Sequence, residues 1–225
     1  MEIQNFILGN SELFRIIYGL VIGLICITIF LKTDKFFKLS FHEGIRYFRN
    51  AFFFYGLAFV VRYFLGVLLV PSVDYLFILI LFEYFIVLAG FSLFYSLIWK
   101  KFHFYNSSIF NSKMIFFHII AITIALLDAF FIIGNFMFYS QIIIFSFASI
   151  IAYKNYTKNK KQKFPKFYFI AMLIELFAWI FNLMTVSIFE HDSLLLLNVG
   201  IINVIFFLLI LCGVLKITKN DYKKA

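Results

Sequence analysis

The chain has 225 residues, 64% of them hydrophobic and only 14% charged, with a formal charge of +9 and a mean hydropathy of +1.00. A soluble domain of this size cannot hide so much apolar surface. Nor do the cations form a basic face with interleaved aromatics for nucleic acid, because they border apolar runs. What remains is an all-α integral membrane protein whose main partner is the lipid bilayer.

Seven apolar runs are long enough, at 1.5 Å per residue, to cross a hydrocarbon slab of roughly 30 Å. The first, Ser11 to Leu31, follows an acidic, lysine-free start and reads as a spanning helix rather than a cleaved signal. Within it, Gly19 and Gly23 form a GxxxG surface for close packing inside the bundle. The second, Phe41 to Val70, opens on Ser40 and Glu43 at capping-box spacing and ends at Pro71. The third is Tyr75 to Trp99 and the fourth Met114 to Phe131. Gly134 and Asn135 predict a tight hairpin into the fifth, Phe136 to Tyr153. Pro165 suits the first turn of the sixth, Pro165 to Phe189, and the seventh runs from Ser193 to Ile217. These runs form one polytopic domain. No proline interrupts a helix, which speaks against a transporter built on broken helices.

Lysines and arginines alternate between the gaps. Lys32, Lys35, Lys38, Arg46 and Arg49 follow the first run, Lys100, Lys101 and Lys113 the third, Lys154 to Lys166 the fifth, and Lys216 to Lys224 the last. The intervening gaps and the N-terminus carry Glu2, Glu12, Asp74, Glu190 and Asp192. Cytoplasmic loops retain cations, so this pattern predicts a seven-transmembrane-helix bundle with its N-terminus outside, its C-terminus cytoplasmic, and the cell membrane as its location.

Cys26 and Cys212 fall within apolar runs and suggest neither a disulfide nor a redox motif. The four histidines lack metal-ligand spacing, so no metal or cofactor is expected. The thirty-six phenylalanines accompany many Ile, Lys and Asn residues, as AT-rich codon usage would produce. His118 is the one histidine well inside a run, His42 lying at the cytoplasmic edge of the second, and it reads as a hydrogen-bonding or packing residue.

Functional information rests on polar groups inside the runs, since a charge at mid-bilayer costs about 2.5–3.5 kcal/mol on insertion scales and normally faces the bundle interior or water. These are Arg15, Arg62, Glu83, Asp128 and Glu175, with Gln141, Asn182, Asn198 and Asn203. Counting from the outer helix ends puts Arg15 at roughly 6 Å, Asp128, Gln141 and Asn198 at roughly 9 Å, and Arg62, Glu83 and Asn182 at roughly 12–14 Å. Seven residues from seven helices thus form an outer layer. Glu175 and Asn203 lie deeper, at roughly 22 and 16 Å.

Helical phase predicts that these groups point inward. Ala171, Glu175, Ala178, Asn182 and Thr185 share one face, as do His118, Ala121, Ala125 and Asp128, and Ala51, Tyr55, Ala58 and Arg62. The first and last of these stripes match at an offset of 120 residues, which suggests parallel repeats of helices one to three and five to seven around the fourth. The three-plus-one-plus-three layout resembles that of sugar-transporting and rhodopsin-like families, and also seven-helix sensory inputs of bacterial kinases. The resemblance stops at layout. A retinal-anchoring lysine in the last helix is missing, as are the Pro-Gln loop of sugar transporters and the Gly-x-Ser-Gly of rhomboid-like proteases.

The expected function is that of a receptor-like or sensory protein. It would hold a small polar or anionic ligand in the outer half and signal to a cytoplasmic partner. Arg15 and Arg62 would take an anionic group, Glu83 and Asp128 an amine or the arginines, and Gln141, Asn182 and Asn198 would orient the ligand. A small transporter is the main alternative, with Glu175 and Asn203 extending a polar path inward. An intramembrane enzyme using Asp128 and Glu175 ranks third beside an accessory subunit, since no nucleophile accompanies the carboxylates.

Overall fold

A computed structural model describes residues 11–40, 43–66, 75–99, 112–131, 135–158, 163–187 and 193–221, with side chains undescribed at a few helix-end positions and at residue 15. All secondary structure among the described residues is helical: α1 (Ser11–Ser40), α2 (Glu43–Phe59), α3 (Tyr75–Ile98), α4 (Ser112–Phe130), α5 (Phe136–Lys158), α6 (Lys163–Ser187) and α7 (Ser193–Asp221). Among the described residues four helices are long and apolar enough to cross a membrane, over Ile16–Lys38, Tyr75–Ile98, Phe136–Lys158 and Pro165–Ser187, while Met114–Phe130 and Gly200–Lys216 are shorter apolar stretches. The chain therefore has the character of a membrane protein.

The exposed surface supports that assignment. Leu24 is 64% exposed, Ile143 57% and Phe177 54%, all mid-helix. In water such residues would cost free energy, whereas hydrocarbon is as apolar as they are.

Helix ends depart from the sequence expectation where charge, rather than hydropathy, extends them. α1 continues past Leu31 to Ser40 because Asp34 pairs with Lys38 one turn on at 2.9 Å and with Arg49 of α2 at 2.5 Å. Arg49 also lies over the rings of Phe30 and Phe37, at 5.6 and 5.0 Å. This cluster ties the end of α1 to the start of α2. Pro165 falls in the first turn of α6, where a missing N–H is harmless. Asn135 turns with φ of 48°, a left-handed conformation that asparagine tolerates, immediately before α5. The side chain of Ser40, Pro71, Gly134 and the loop charges Glu2, Asp74, Lys100, Lys101, Glu190 and Asp192 lie outside the described residues.

α2 does not end as an α-helix. It widens over Val60–Leu65 into a π-helical turn, with the Gly66 N–H donating to the Val61 carbonyl. Val60 and Phe64 are exposed, and Arg62 lies midway between them in sequence, hence on the opposite side of the helix.

The packing order is a ring. α1 packs on α2, α2 on α3, and α3 on α5; α5 packs on α6, α6 on α7, and α7 on α1. α4 lies against α3 and, less extensively, α5. The middle is filled by aromatic rings: Tyr55 meets Phe206 and Phe207 edge-on at 6.5 and 5.4 Å, and Phe48 meets Tyr168 at 5.9 Å. Small residues allow the closest approaches. A Cβ on Gly19 would stand 2.5 Å from Cβ of Tyr63, so Gly19 of the GxxxG pair is used against α2, whereas Gly23 meets nothing within 4 Å.

Candidate functional site

α6 carries the deepest carboxylate. Ala171 and Ala178 are fully buried, Glu175 is 3% exposed and Thr185 2%, so the predicted inward face holds. Glu175 Oε1 accepts a hydrogen bond of 3.0 Å from Trp179 Nε1 one turn along the same helix. Its Oε2 has no hydrogen-bond partner among the described residues. Neither salt bridge among the described residues involves it. The Tyr55 hydroxyl, 1% exposed and equally unpartnered, lies on α2 within electrostatic range of Glu175, as does the Tyr18 hydroxyl on α1. Tyr18 Oη accepts from Asn203 Nδ2 of α7 at 3.2 Å. Toward the start of α6, the hydroxyls of Tyr168 and Ser96 of α3 lie 3.4 Å apart.

Buried polar atoms usually find a partner. Here the unpartnered ones also include Ser92 Oγ on α3, Ser149 Oγ on α5, and both amide atoms of Gln141. Gln141 is 0% exposed and is wedged where α3 has no side chain: a Cβ on Gly90 would lie 2.6 Å from its Oε1. It therefore meets α3 seven residues inward from Glu83 rather than beside it. Depth counted from helix ends assumes level, upright helices, and tilt and stagger break that assumption.

Of the outer layer, Glu83 is 7% exposed, with Oε2 unpartnered. Arg62 departs from its predicted stripe. Ala51, Tyr55 and Ala58 are buried, but Arg62, in the π-turn, is exposed. Its guanidinium carbon rests 4.4 Å from the ring centre of Phe82 and 6.0 Å from that of Tyr63. The aromatic seat holds the cation against α3. Arg62 and Glu83 are close enough to interact electrostatically but form no ion pair within 4 Å.

Asp128 is engaged in local structure. Oδ1 accepts from the Phe136 N–H at 2.6 Å and Oδ2 from the Met137 N–H at 2.7 Å, so this carboxylate of α4 caps the first turn of α5. Asn182 is half-buried on the face of α6 that bears Glu175. The side chains of Arg15 and Asn198 lie outside the described residues. His118 Nδ1 and Tyr84 Oη are 2.6 Å apart, which gives that membrane histidine its partner.

Sequence reasoning missed Tyr18, Tyr168 and Trp179, and took Tyr55 only as one member of an inward stripe. Thirteen tyrosines among thirty-six phenylalanines read as apolar bulk, although each hydroxyl buried in hydrocarbon needs a partner. Matching each tyrosine to a polar residue on the buried phase of another helix would have found the tyrosines, and the four-residue spacing of Glu175 and Trp179 the tryptophan. No known protein family, curated protein or solved structure matches this chain.

Proposed function

We propose that the chain is a seven-helix carrier for a small polar solute, with its N-terminus outside and its C-terminus in the cytoplasm. The observation that supports this most is the buried Glu175, outside any ion pair among the described residues, with the unpartnered Tyr55 hydroxyl within electrostatic range of it. Polar groups continue from there in both directions, to Tyr18 and Asn203 on one side and Tyr168 and Ser96 on the other. A ligand held only at the outer surface needs no such file. A solute crossing the bundle does.

The ring of helices adds support. The order α1–α2–α3 followed by α5–α6–α7, closed by α3 on α5 and α7 on α1, is what two parallel three-helix repeats produce around a shared centre. Two repeats that rock about a central site are a common means of alternating access. α2 and α6 would then supply Tyr55 and Glu175 as equivalent positions.

The test is uptake into proteoliposomes from panels of labelled amino acids, monosaccharides and monocarboxylates. Uptake of one class is expected, lost in Glu175→Ala and reduced in Tyr55→Phe. No uptake of any solute, or uptake indifferent to Glu175→Ala, would overturn the proposal. A receptor is the second reading, favoured by the exposed Arg62 within electrostatic range of Glu83, whose Oε2 is buried without a partner, and it predicts binding without flux. Signal would then pass to a partner through the lysine-rich cytoplasmic loops.

A further inference from the structure

We infer that Glu175 is a proton-binding site in the bundle interior, and that the protein moves a proton as it moves its solute. The coupling rests on the carrier reading and adds an ion to it. Glu175 lies midway along α6, is 3% exposed, and has two unlike oxygens. Oε1 accepts the Trp179 indole N–H at 3.0 Å, whereas Oε2 is buried with no hydrogen-bond partner among the described residues. An indole N–H offers one hydrogen bond and no charge. It orients a carboxyl group, but it does not replace the hydration or counter-ion that a carboxylate needs in an apolar bundle. The acid form suits this setting. Oε1 is then the carbonyl oxygen that takes the indole hydrogen bond, and Oε2 carries the proton. One neutral hydroxyl without a partner costs far less than a buried ion without one.

Among the described residues no cation faces Glu175. Tyr55 of α2 and Tyr18 of α1 present phenols, and Tyr18 already takes the amide of Asn203 of α7. Cys26 of α1, within electrostatic range of Tyr55, is a thiol. The buried polar groups of α5 are Gln141 and Ser149, and Ser92 is that of α3 beside Glu83; the amide and the hydroxyls do not ionise. Lys154 and Lys158 of α5, with Cys212 and Lys216 of α7, are exposed. Lys216 sits over the ring of Phe167, about 12 Å along α6 from Glu175. Arg62 is exposed and seated on Phe82. Of the other carboxylates in the apolar runs, Asp128 is held by two backbone N–H groups, and Glu83 has Arg62 and Asp128 within electrostatic range. Glu175 alone among them has neither. A neutral acid when buried, and an ion when water reaches it, differ by one proton. A carrier that opens Glu175 to one side and then to the other therefore exchanges that proton with water: the Oε2–H bond breaks as the carboxylate and hydronium form, and the reverse step restores the acid. Charged groups inside membrane helices commonly mark such proton relays.

Infrared spectra of the full chain in nanodiscs at neutral pH test the proton site directly. The carbonyl band of a protonated carboxylic acid is expected, lost in Glu175→Gln. In Trp179→Phe it should persist but move to higher frequency, because Oε1 is freed from the indole hydrogen bond. That second variant keeps the acid and so separates loss of the proton from loss of the fold. A neutral-pH acid band that Glu175→Gln leaves unchanged, or no acid band at all, would overturn the proton site. The coupling is read in proteoliposomes that enclose a pH-sensitive dye, against protein-free vesicles. Each labelled amino acid, monosaccharide or monocarboxylate that is taken up should change the lumenal pH in proportion to its uptake, with acidification for co-transport and alkalinisation for exchange. Uptake with no change of lumenal pH would overturn the coupling and leave the carrier. No uptake of any of these solutes, with the infrared band in place, would overturn the carrier reading and the coupling with it.

Discussion

Phe48 and Tyr168 stand 120 positions apart in the sequence, and their rings meet with centroids 5.9 Å apart. Five further pairs at the same offset are buried together: Ala51 and Ala171, Phe52 and Met172, Tyr55 and Glu175, Ala58 and Ala178, and Phe59 and Trp179. A pair at equivalent positions that touches marks where a two-fold axis would pass. Cysteines introduced at 48 and 168, in a variant carrying Cys26→Ala and Cys212→Ser, should therefore cross-link with a short bifunctional maleimide. Cysteines at 48 and 178 should not, and equal yields from both pairs would contradict the arrangement.

Gly90 is required by Gln141 rather than by its own backbone. Adding a Cβ 2.6 Å from Gln141 Oε1 forces the amide to move, so Gly90→Ala should destabilise by about 1–3 kcal/mol. In Gly90→Ala/Gln141→Ala most of that loss should return, because the obstructed atom is gone. Unfolding in mild detergent measures both, and additive losses would show that the clash lies elsewhere.

Asp128 should behave as a cap. Asp128→Ala removes the acceptor of two N–H groups and should cost about 1–2 kcal/mol, with Asp128→Asn intermediate because one carbonyl oxygen remains. Solute binding in the folded fraction should be unchanged by either. A binding loss exceeding the stability loss would return Asp128 to the ligand site.

Arg49→Lys should weaken the joint between α1 and α2 although charge is preserved. Lysine can still reach Asp34, but it lacks the planar group that lies over Phe30 and Phe37. A loss of about 0.5–1 kcal/mol is expected, read as a lower melting temperature. No change would mean that the ion pair alone carries the contact.

Much of the fold could be read from the apolar runs, because helix existence follows from length and hydropathy, and all seven predicted helix starts lie within two residues of those observed. The inward faces of α4 and α6 were legible for a similar reason: alanines spaced with polar residues mark close packing. What could not be read was tilt, the π-turn and local capping. Periodicity aligned Arg62 with Ala58 but carried no sign of the widened turn that leaves it exposed. Asp128 looked like a free carboxylate because the N–H groups it serves belong to the next helix. Tyr55 was seen as part of a stripe but not as a hydroxyl without a partner.

The central claim is that the polar interior is reached from both sides of the membrane. Its most direct measurement is labelling of Ala178→Cys, one turn from Glu175 and fully buried, in a background lacking Cys26 and Cys212. A membrane-impermeant methanethiosulfonate is added to right-side-out and to inside-out vesicles. Slow labelling is expected from each side, with the two rates shifted in opposite directions by bound solute. Labelling from the outside alone would contradict it and leave a receptor.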